Sequence, residues 1–309
     1  MKLIMMIHFS TPTVFFISLF LLLLSSSVSS QLCPRNCGKV PLRFPFGGIP
    51  GCGDPRFQHY MNCDQESLTF TTHTGSYPVT SIDYEKQVIY ISDPSMSTCS
   101  CTQPSKGFGL DWDAPFDFHD DTIFVLLDCS STSSPIYNPS DISSDNIGNS
   151  SKVPSCDTGG VPICNSLYSC RPISTNNLPI STCCVYAPVD LGPAFDMDLE
   201  TLKCSSYSSF YSFNGRESDP NSWKYGMALR YKFNVKNEFP SPCDYCERSF
   251  GVCGYTGAYN SFICNCPSGL NTSTGCLFGG PYNTGSTFLP WQTGAWLVYC
   301  LPWLLVWLL

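Results

Sequence analysis

CPRNCGKVPLRFPFGGIPGCGDPRFQHYMNC, residues 33–63, carries Cys33, Cys37, Cys52 and Cys63 among closely spaced prolines and glycines. Such a stretch reads as short strands and turns in which covalent links do part of a core's work. The rest of the chain extends the pattern. Twenty cysteines lie in 309 residues, beginning at Cys33 and recurring at close intervals to Cys276, with Cys300 in an apolar tail. Cytosolic reductants keep thiols reduced, so this density implies an oxidising compartment and a disulfide-stapled extracellular protein. Most intracellular functions are thereby excluded.

Both ends agree with a secreted chain. Lys2 precedes the apolar run Val14 to Leu24, broken by Ser18, and Val28-Ser29-Ser30 offers small residues for cleavage before Gln31, so residues 1–30 read as a signal peptide. Residues 279–309 read as an anchor signal. The small residues Asn283-Thr284-Gly285, with Asn283 as the attachment site, precede the mostly polar spacer Ser286 to Gly294 and the apolar Ala295 to Leu309. That combination is the pattern of a glycolipid (GPI) anchor. A membrane span from Phe288 is the alternative; it would carry Pro290, Gln292, Thr293 and Pro302 and lack a basic flank.

Charged residues make up 13% of the chain, and the net charge is −8. The balance is uneven. Arg35, Lys39, Arg43 and Arg56 face only Asp54 between Cys33 and Cys63, whereas Asp111, Asp113, Asp117, Asp120 and Asp121 dominate further on. No basic run has the footprint of nucleic-acid binding. The N-terminal bases either receive an acidic ligand or are scattered solvated charges.

The fold expected is small, disulfide-rich and β, with Cys-rich β modules in tandem. In the first module, residues 31–130, Ser76 to Ser92 alternates apolar and polar residues around Asp83 to Gln87, a strand pair. Thr122 to Leu127 (TIFVLL) reads as a central buried strand. Residues 131–155, rich in Ser, Asn and Pro, read as an exposed linker with the glycosylation sequon at Asn149; a second sequon begins at Asn271. The second module, residues 156–240, contains Cys156, Cys164, Cys170, the adjacent Cys183-Cys184 and Cys204. Its clearest strand is Met227 to Val235, with one wet face. Ser205 to Phe213 gives no clear pattern.

The third module, residues 241–278, has Cys243, Cys246, Cys253, Cys264, Cys266 and Cys276. The last four, with Gly254, Tyr259, Pro267 and Gly269, resemble an EGF-like repeat, which closes the chain's tandem of modules. The first interval is short for that repeat, so Cys243 is expected to pair outside it. A zinc site at Cys243/Cys246 is disfavoured without a second C-x2-C.

Three further stretches carry a wider resemblance: Cys33-Pro34-Arg35-Asn36-Cys37-Gly38, Pro41-Leu42-Arg43-Phe44-Pro45-Phe46-Gly47 and Gly51-Cys52-Gly53-Asp54-Pro55. With Cys63, Ser76-Tyr77-Pro78-Val79 and Leu127-Asp128-Cys129, they resemble the galacturonan-binding module of plant wall-associated receptor kinases. Cys183-Cys184 and the Cys253-Gly254 … Cys264-Asn265-Cys266 stretch resemble the C-terminal associated region of the same family. The Gly-rich, catalytic-lysine and catalytic-loop signatures of kinases are absent from this sequence, so the chain is read as a kinase-less relative.

The resemblance implies binding of cell-wall pectin, as oligogalacturonide or polymer, at the outer face of the plasma membrane. Arg35, Lys39, Arg43 and Arg56 are the residues suited to uronate carboxylates. Tyr60, Phe44, Phe46 and Phe57 either offer ring faces to sugar or pack in a core. No resident cofactor is implied; Ca²⁺ enters only as a bridging ion, with Asp111 to Asp121 as its oxygen donors or as a solvated acidic loop. The alternative is a co-receptor that binds another protein, such as a receptor kinase. Paired acids at Asp111/Asp113 or Asp120/Asp121 do not by themselves span a sugar ring, and His59, His73 and His119 lie in no nucleophile motif, so no enzyme is read. Removal of Cys300 leaves nineteen cysteines; the spare is expected at Cys99-Ser100-Cys101, either as a bystander or as a handle for a second chain.

Overall fold

In the computed structural model, residues 33–137, 155–156, 162–174, 181–186 and 196–278 are described. The signal peptide, Asn149, Asn283 and the apolar tail lie outside them. Two antiparallel sheets dominate. In spatial order the six-stranded sheet runs Met61–Asp64, Ser67–Thr72, Gly75–Asp83, Val88–Ile91, Met227–Tyr231 and Phe116–Phe118. The five-stranded sheet runs Ser155–Cys156, Ser181–Tyr186, Ile123–Ser130, Ser206–Ser212 and Lys224–Tyr225.

Period-two alternation builds the first sheet. In Ser67–Thr72 the side chains of Leu68, Phe70 and Thr72 are buried while those between them are less so, as expected for a strand with one face on a core. The hairpin expected at Ser76 to Ser92 is present as Gly75–Asp83 against Val88–Ile91. Ile123–Ser130 is the middle strand of the second sheet, and its apolar run divides between two cores. Phe124 and Leu126 face the large core with Phe108, Tyr207 and Leu229. Val125 and Leu127 face a smaller one with Leu167, Phe210 and Trp223. A strand covered on both sides has no polar face to show, which is why TIFVLL reads as continuous.

The strand expected at Met227 to Val235 ends at Tyr231. Asn234 turns the chain by accepting from the Lys236 and Glu238 amides through Oδ1, and Val235, expected inside, is fully exposed. Its expected wet face is also half covered: Ala228 is buried, and its backbone pairs with the Thr122 hydroxyl in both directions. Ser205 to Phe213, unreadable in the sequence, contains the strand Ser206–Ser212. Its serines 206, 208 and 209 are buried there.

The segments 31–130 and 156–240 share both large sheets, so the division visible in the sequence is not a division in space. The described residues up to Cys276 form one unit. The start of the expected linker belongs to it as well, since Ser134 and Ile136 are buried and the Ser134 hydroxyl bonds the Leu202 carbonyl. Cys99–Cys170 and Cys129–Cys204 add covalent links between the two segments.

Seven further bridges join Cys33–Cys52, Cys37–Cys63, Cys156–Cys184, Cys164–Cys183, Cys243–Cys253, Cys246–Cys264 and Cys266–Cys276. Cys243 therefore pairs inside the third module, not outside it, and the zinc alternative at Cys243/Cys246 is removed because both sulfurs are oxidised. Among the described residues Cys101 alone is free, and it is exposed. Gly251 shows how tightly these sulfurs pack: a Cβ there would lie 2.3 Å from Cys264 Sγ, 2.7 Å from Cys246 Sγ and 2.8 Å from Cys276 Sγ. No helix among the described residues is long and apolar enough to cross a membrane.

Candidate functional site

Arg35, Lys39 and Arg43 are exposed and belong to one short hairpin, Asn36–Cys37 against Val40–Pro41, closed by Leu42 N–H on the Arg35 carbonyl at 2.7 Å. The turn needs Gly38 at φ +55°, where a Cβ would sit 2.1 Å from the Glu66 carbonyl oxygen. Lys39 makes no hydrogen bond or ion pair among the described residues. Arg43 lies over the Tyr84 ring at 5.7 Å, and the Tyr84 hydroxyl accepts from Arg43 N–H and donates to the Pro41 carbonyl. These contacts fix the hairpin while leaving the charged heads of Lys39 and Arg43 toward solvent.

The hairpin abuts the third module. Arg35 Nη2 donates to the Phe250 carbonyl at 3.0 Å. Beside it, Gly53 N–H donates to the Cys253 carbonyl at 2.8 Å, and Asn265 Nδ2 to the Gly51 carbonyl at 3.3 Å. Glu247, on the helix Ser241–Arg248, is pushed above the ordinary carboxyl range by burial, although the Phe44 amide and the Arg43 charge pull it the other way. The ring of Phe44 packs on Phe233, Phe239 and Tyr255, tying the modules together.

Arg56 is placed differently from the other three bases. Asp54 caps the short helix Pro55–Gln58 through Arg56 N–H, and its carboxylate also holds the Arg56 side chain, through Nε at 3.1 Å and Nη2 at 2.6 Å. Arg56 Nη2 donates in addition to the Phe233 carbonyl. The guanidinium is thus engaged as a brace between the Gly53-Asp54-Pro55 turn and the end of the Met227–Tyr231 strand. It also lines a groove of about 340 Å³ with His59, Asp113, Pro115, Lys232 and Asn234.

The aromatic side chains suggested as sugar platforms are in the core. Tyr60 is 1% exposed, and its ring packs on Phe70 and Phe116 while its hydroxyl donates to Asp113 Oδ1 at 3.2 Å. Burial raises its phenol well above the usual range, with the Asp113 charge adding to the effect. Phe44, Phe46 and Phe57 are buried too, Phe46 meeting Tyr231 edge-on at 4.9 Å. Residues of this size release most free energy by leaving water, so none presents a face to a ligand.

The acidic stretch does not converge on a cation. Asp111 accepts from His73 Nδ1 at 2.6 Å, Asp117 pairs with Lys232, Asp120 with Arg230 at 3.5 Å and Asp121 with His119 at 3.5 Å. Each carboxylate has its own partner, and among the described residues no three of them gather at metal-binding distance. A wider groove, about 1040 Å³, is lined by Asp120, Asp121, Glu217 and Asp219 with Arg216 as its base. Its charge disfavours a polyanion. Phe250, whose carbonyl accepts from Arg35, is 70% exposed, and nothing in the residue pattern marks it.

An antiparallel, disulfide-stapled β body with three of its exposed bases on an N-terminal hairpin belongs to the class of small Cys-rich β modules. Comparison with known families matches two segments of the chain. Residues 33–93 match the wall-associated receptor kinase galacturonan-binding family, and residues 196–269 match the wall-associated receptor kinase C-terminal family. Both matched families are extracellular domains of wall-associated receptor kinases, one in the N-terminal and one in the C-terminal region of the chain. It is also similar to two Arabidopsis thaliana proteins. It is 32% identical over 127 residues to "Putative RING-H2 finger protein ATL21C" and 32% identical over 107 residues to "Putative RING-H2 finger protein ATL21B". These alignments cover 38% and 34% of this chain, and 31% and 27% of the relatives' lengths. No solved structure matches.

Proposed function

We propose that the chain binds the galacturonic-acid backbone of pectin through the exposed hairpin bases Arg35, Lys39 and Arg43, without catalysing its cleavage. The supporting observation is that these three cations stand on one exposed hairpin inside the segment that matches the galacturonan-binding family. A linear polyuronate presents carboxylates along its length, so an open row of bases suits it better than a closed pocket. Arg35 keeps N–H donors beyond the one given to Phe250 and can take a carboxylate in a fork. With a chain charge of −8 the attraction is local and weakens as salt screens it. Arg56 serves this reading as a brace, not a contact. Anchoring at the outer membrane face through Asn283 and the apolar tail completes it, and release by a phosphatidylinositol-specific phospholipase checks that part.

The test is a titration of the full chain with size-defined oligogalacturonides, with and without Ca²⁺. Saturable binding that falls on charge reversal of Arg35, Lys39 and Arg43 is expected. No binding in either condition refutes the proposal. A second reading, a co-receptor that docks a receptor kinase, draws on Tyr259 and Leu270 of the third module, which are 93% and 61% exposed. It predicts that their replacement abolishes kinase association and spares pectin binding.

A further inference from the structure

Phe250 is the residue whose presence the fold itself does not account for. The helix Ser241–Arg248 is followed by Ser249, and Phe250 then adopts φ +65°. Its N–H bonds the Glu247 carbonyl and Gly251 N–H bonds the Cys246 carbonyl, the two reverse hydrogen bonds that end a helix with a left-handed residue. Glycine usually fills that position because a side chain there crowds the following carbonyl. A bulky residue at positive φ is an outlier that folding alone disfavours. The ring recovers little by burial, since it is 70% exposed and meets no other ring among the described residues. The neighbouring glycine cannot take over the task, because a side chain at Gly251 would strike three sulfurs.

The carbonyl of the same residue is where Arg35 Nη2 is anchored, at 3.0 Å. An exposed ring face and a half-engaged guanidinium are thus held on one residue's backbone, at the seam between the segments that match the two wall-associated families. Ring and base are complementary to a uronic acid. The C–H-rich face of a pyranose packs on the electron-rich ring face, while the carboxylate takes the remaining guanidinium N–H groups. Lys39 and Arg43, on the same hairpin as Arg35, extend the positive charge for neighbouring units of a polymer.

We infer that Phe250 and Arg35 form a uronate clamp, in which Phe250 is the sugar-stacking platform of the galacturonan site. The inference rests on the galacturonan reading above and adds to it a contact from the third module. Strain concentrated at a ligand contact is a recurrent use of disfavoured backbone.

The test pairs binding with stability in the full chain. Phe250→Ala lowers affinity for a size-defined oligogalacturonide about tenfold, the equivalent of one aromatic contact. Phe250→Gly lowers it equally and raises Tm by about 2–4 °C by relieving the left-handed backbone. Phe250→Tyr retains both affinity and Tm. A methyl-esterified oligomer separates the two halves of the clamp: it still loses affinity with Phe250→Ala but is indifferent to Arg35→Gln. Wild-type affinity in Phe250→Ala and Phe250→Gly overturns the clamp and leaves the hairpin bases standing. A wild-type chain that binds neither oligomer overturns the galacturonan reading and the clamp together.

Discussion

Replacing Arg56 with alanine separates a structural brace from a ligand contact. The guanidinium makes two hydrogen bonds to Asp54 and one to the Phe233 carbonyl. The Asp54 side chain is 8% exposed while that of Arg56 is 48% exposed. Removing one partner of a fully buried pair costs about 3–5 kcal/mol. Here water reaches the vacated side, which restores much of the carboxylate's solvation, and Asp54 keeps the backbone bond from residue 56. The cost is therefore about 1–2 kcal/mol, between the exposed and buried limits. For a body of this size that is a drop of roughly 3–6 °C in Tm. Thermal denaturation monitored by near-ultraviolet circular dichroism measures it, and oligogalacturonide affinity measured well below Tm is expected to stay within about twofold of wild type. An Asp54→Asn, Arg56→Met double variant should lose less than the sum of the singles. An Arg56→Ala protein with unchanged Tm and abolished pectin binding refutes the brace and returns Arg56 to the ligand.

Three further outcomes follow from buried or exposed polar groups. Tyr231 is fully buried and its hydroxyl has no hydrogen-bond partner among the described residues; Tyr231→Phe should raise stability by about 1 kcal/mol in chemical denaturation, and a loss would mean the hydroxyl is satisfied. Glu247 has its carboxyl raised chiefly by burial, so the stability it contributes is complete below the unfolded carboxyl range and is lost as pH rises through the raised folded value. Glu247→Gln should therefore show a higher Tm than wild type at neutral pH, with the gap closing on acidification; a gap that widens in acid contradicts the sign. Alkylation without reductant should modify Cys101 alone between residues 33 and 276, and peptide mapping that finds a second adduct contradicts the nine bridges.

How far the sequence carries depends on the range of each interaction. Leu68, Phe70, Tyr77 and Val79 alternate with wetter residues inside their own strands, so those strands are legible from neighbours alone. The strand at Met227 is legible at its start and misjudged at its end, because alternation continues through Val235 while Asn234 has already turned the backbone. The partner of that strand, Val88–Ile91, lies far away in the chain, and no local pattern announces such a pairing. The same limit applies to Arg56, whose sequence neighbour Asp54 is visible but whose third partner, the Phe233 carbonyl, is not. Aromatic residues are ambiguous for another reason: Tyr60 and Tyr259 are equally amphipathic as residue types, yet one is 1% and the other 93% exposed. Phe250 is hidden most completely, since a positive φ belongs to the backbone and leaves no mark on composition.

The place of Met227–Tyr231 between Val88–Ile91 and Phe116–Phe118 has a consequence for how this chain is made. The sheet that holds residues 61–91 lacks an interior strand until residues more than a hundred positions later have left the ribosome. Until then its last strand is an open edge with Ile89 and Ile91 uncovered, inviting pairing with other chains. Cys99 and Cys129 meanwhile wait for Cys170 and Cys204. Secretion should therefore depend on chaperones and disulfide isomerase acting after synthesis, and the segment 33–93 expressed by itself should aggregate instead of serving as a portable pectin-binding tag.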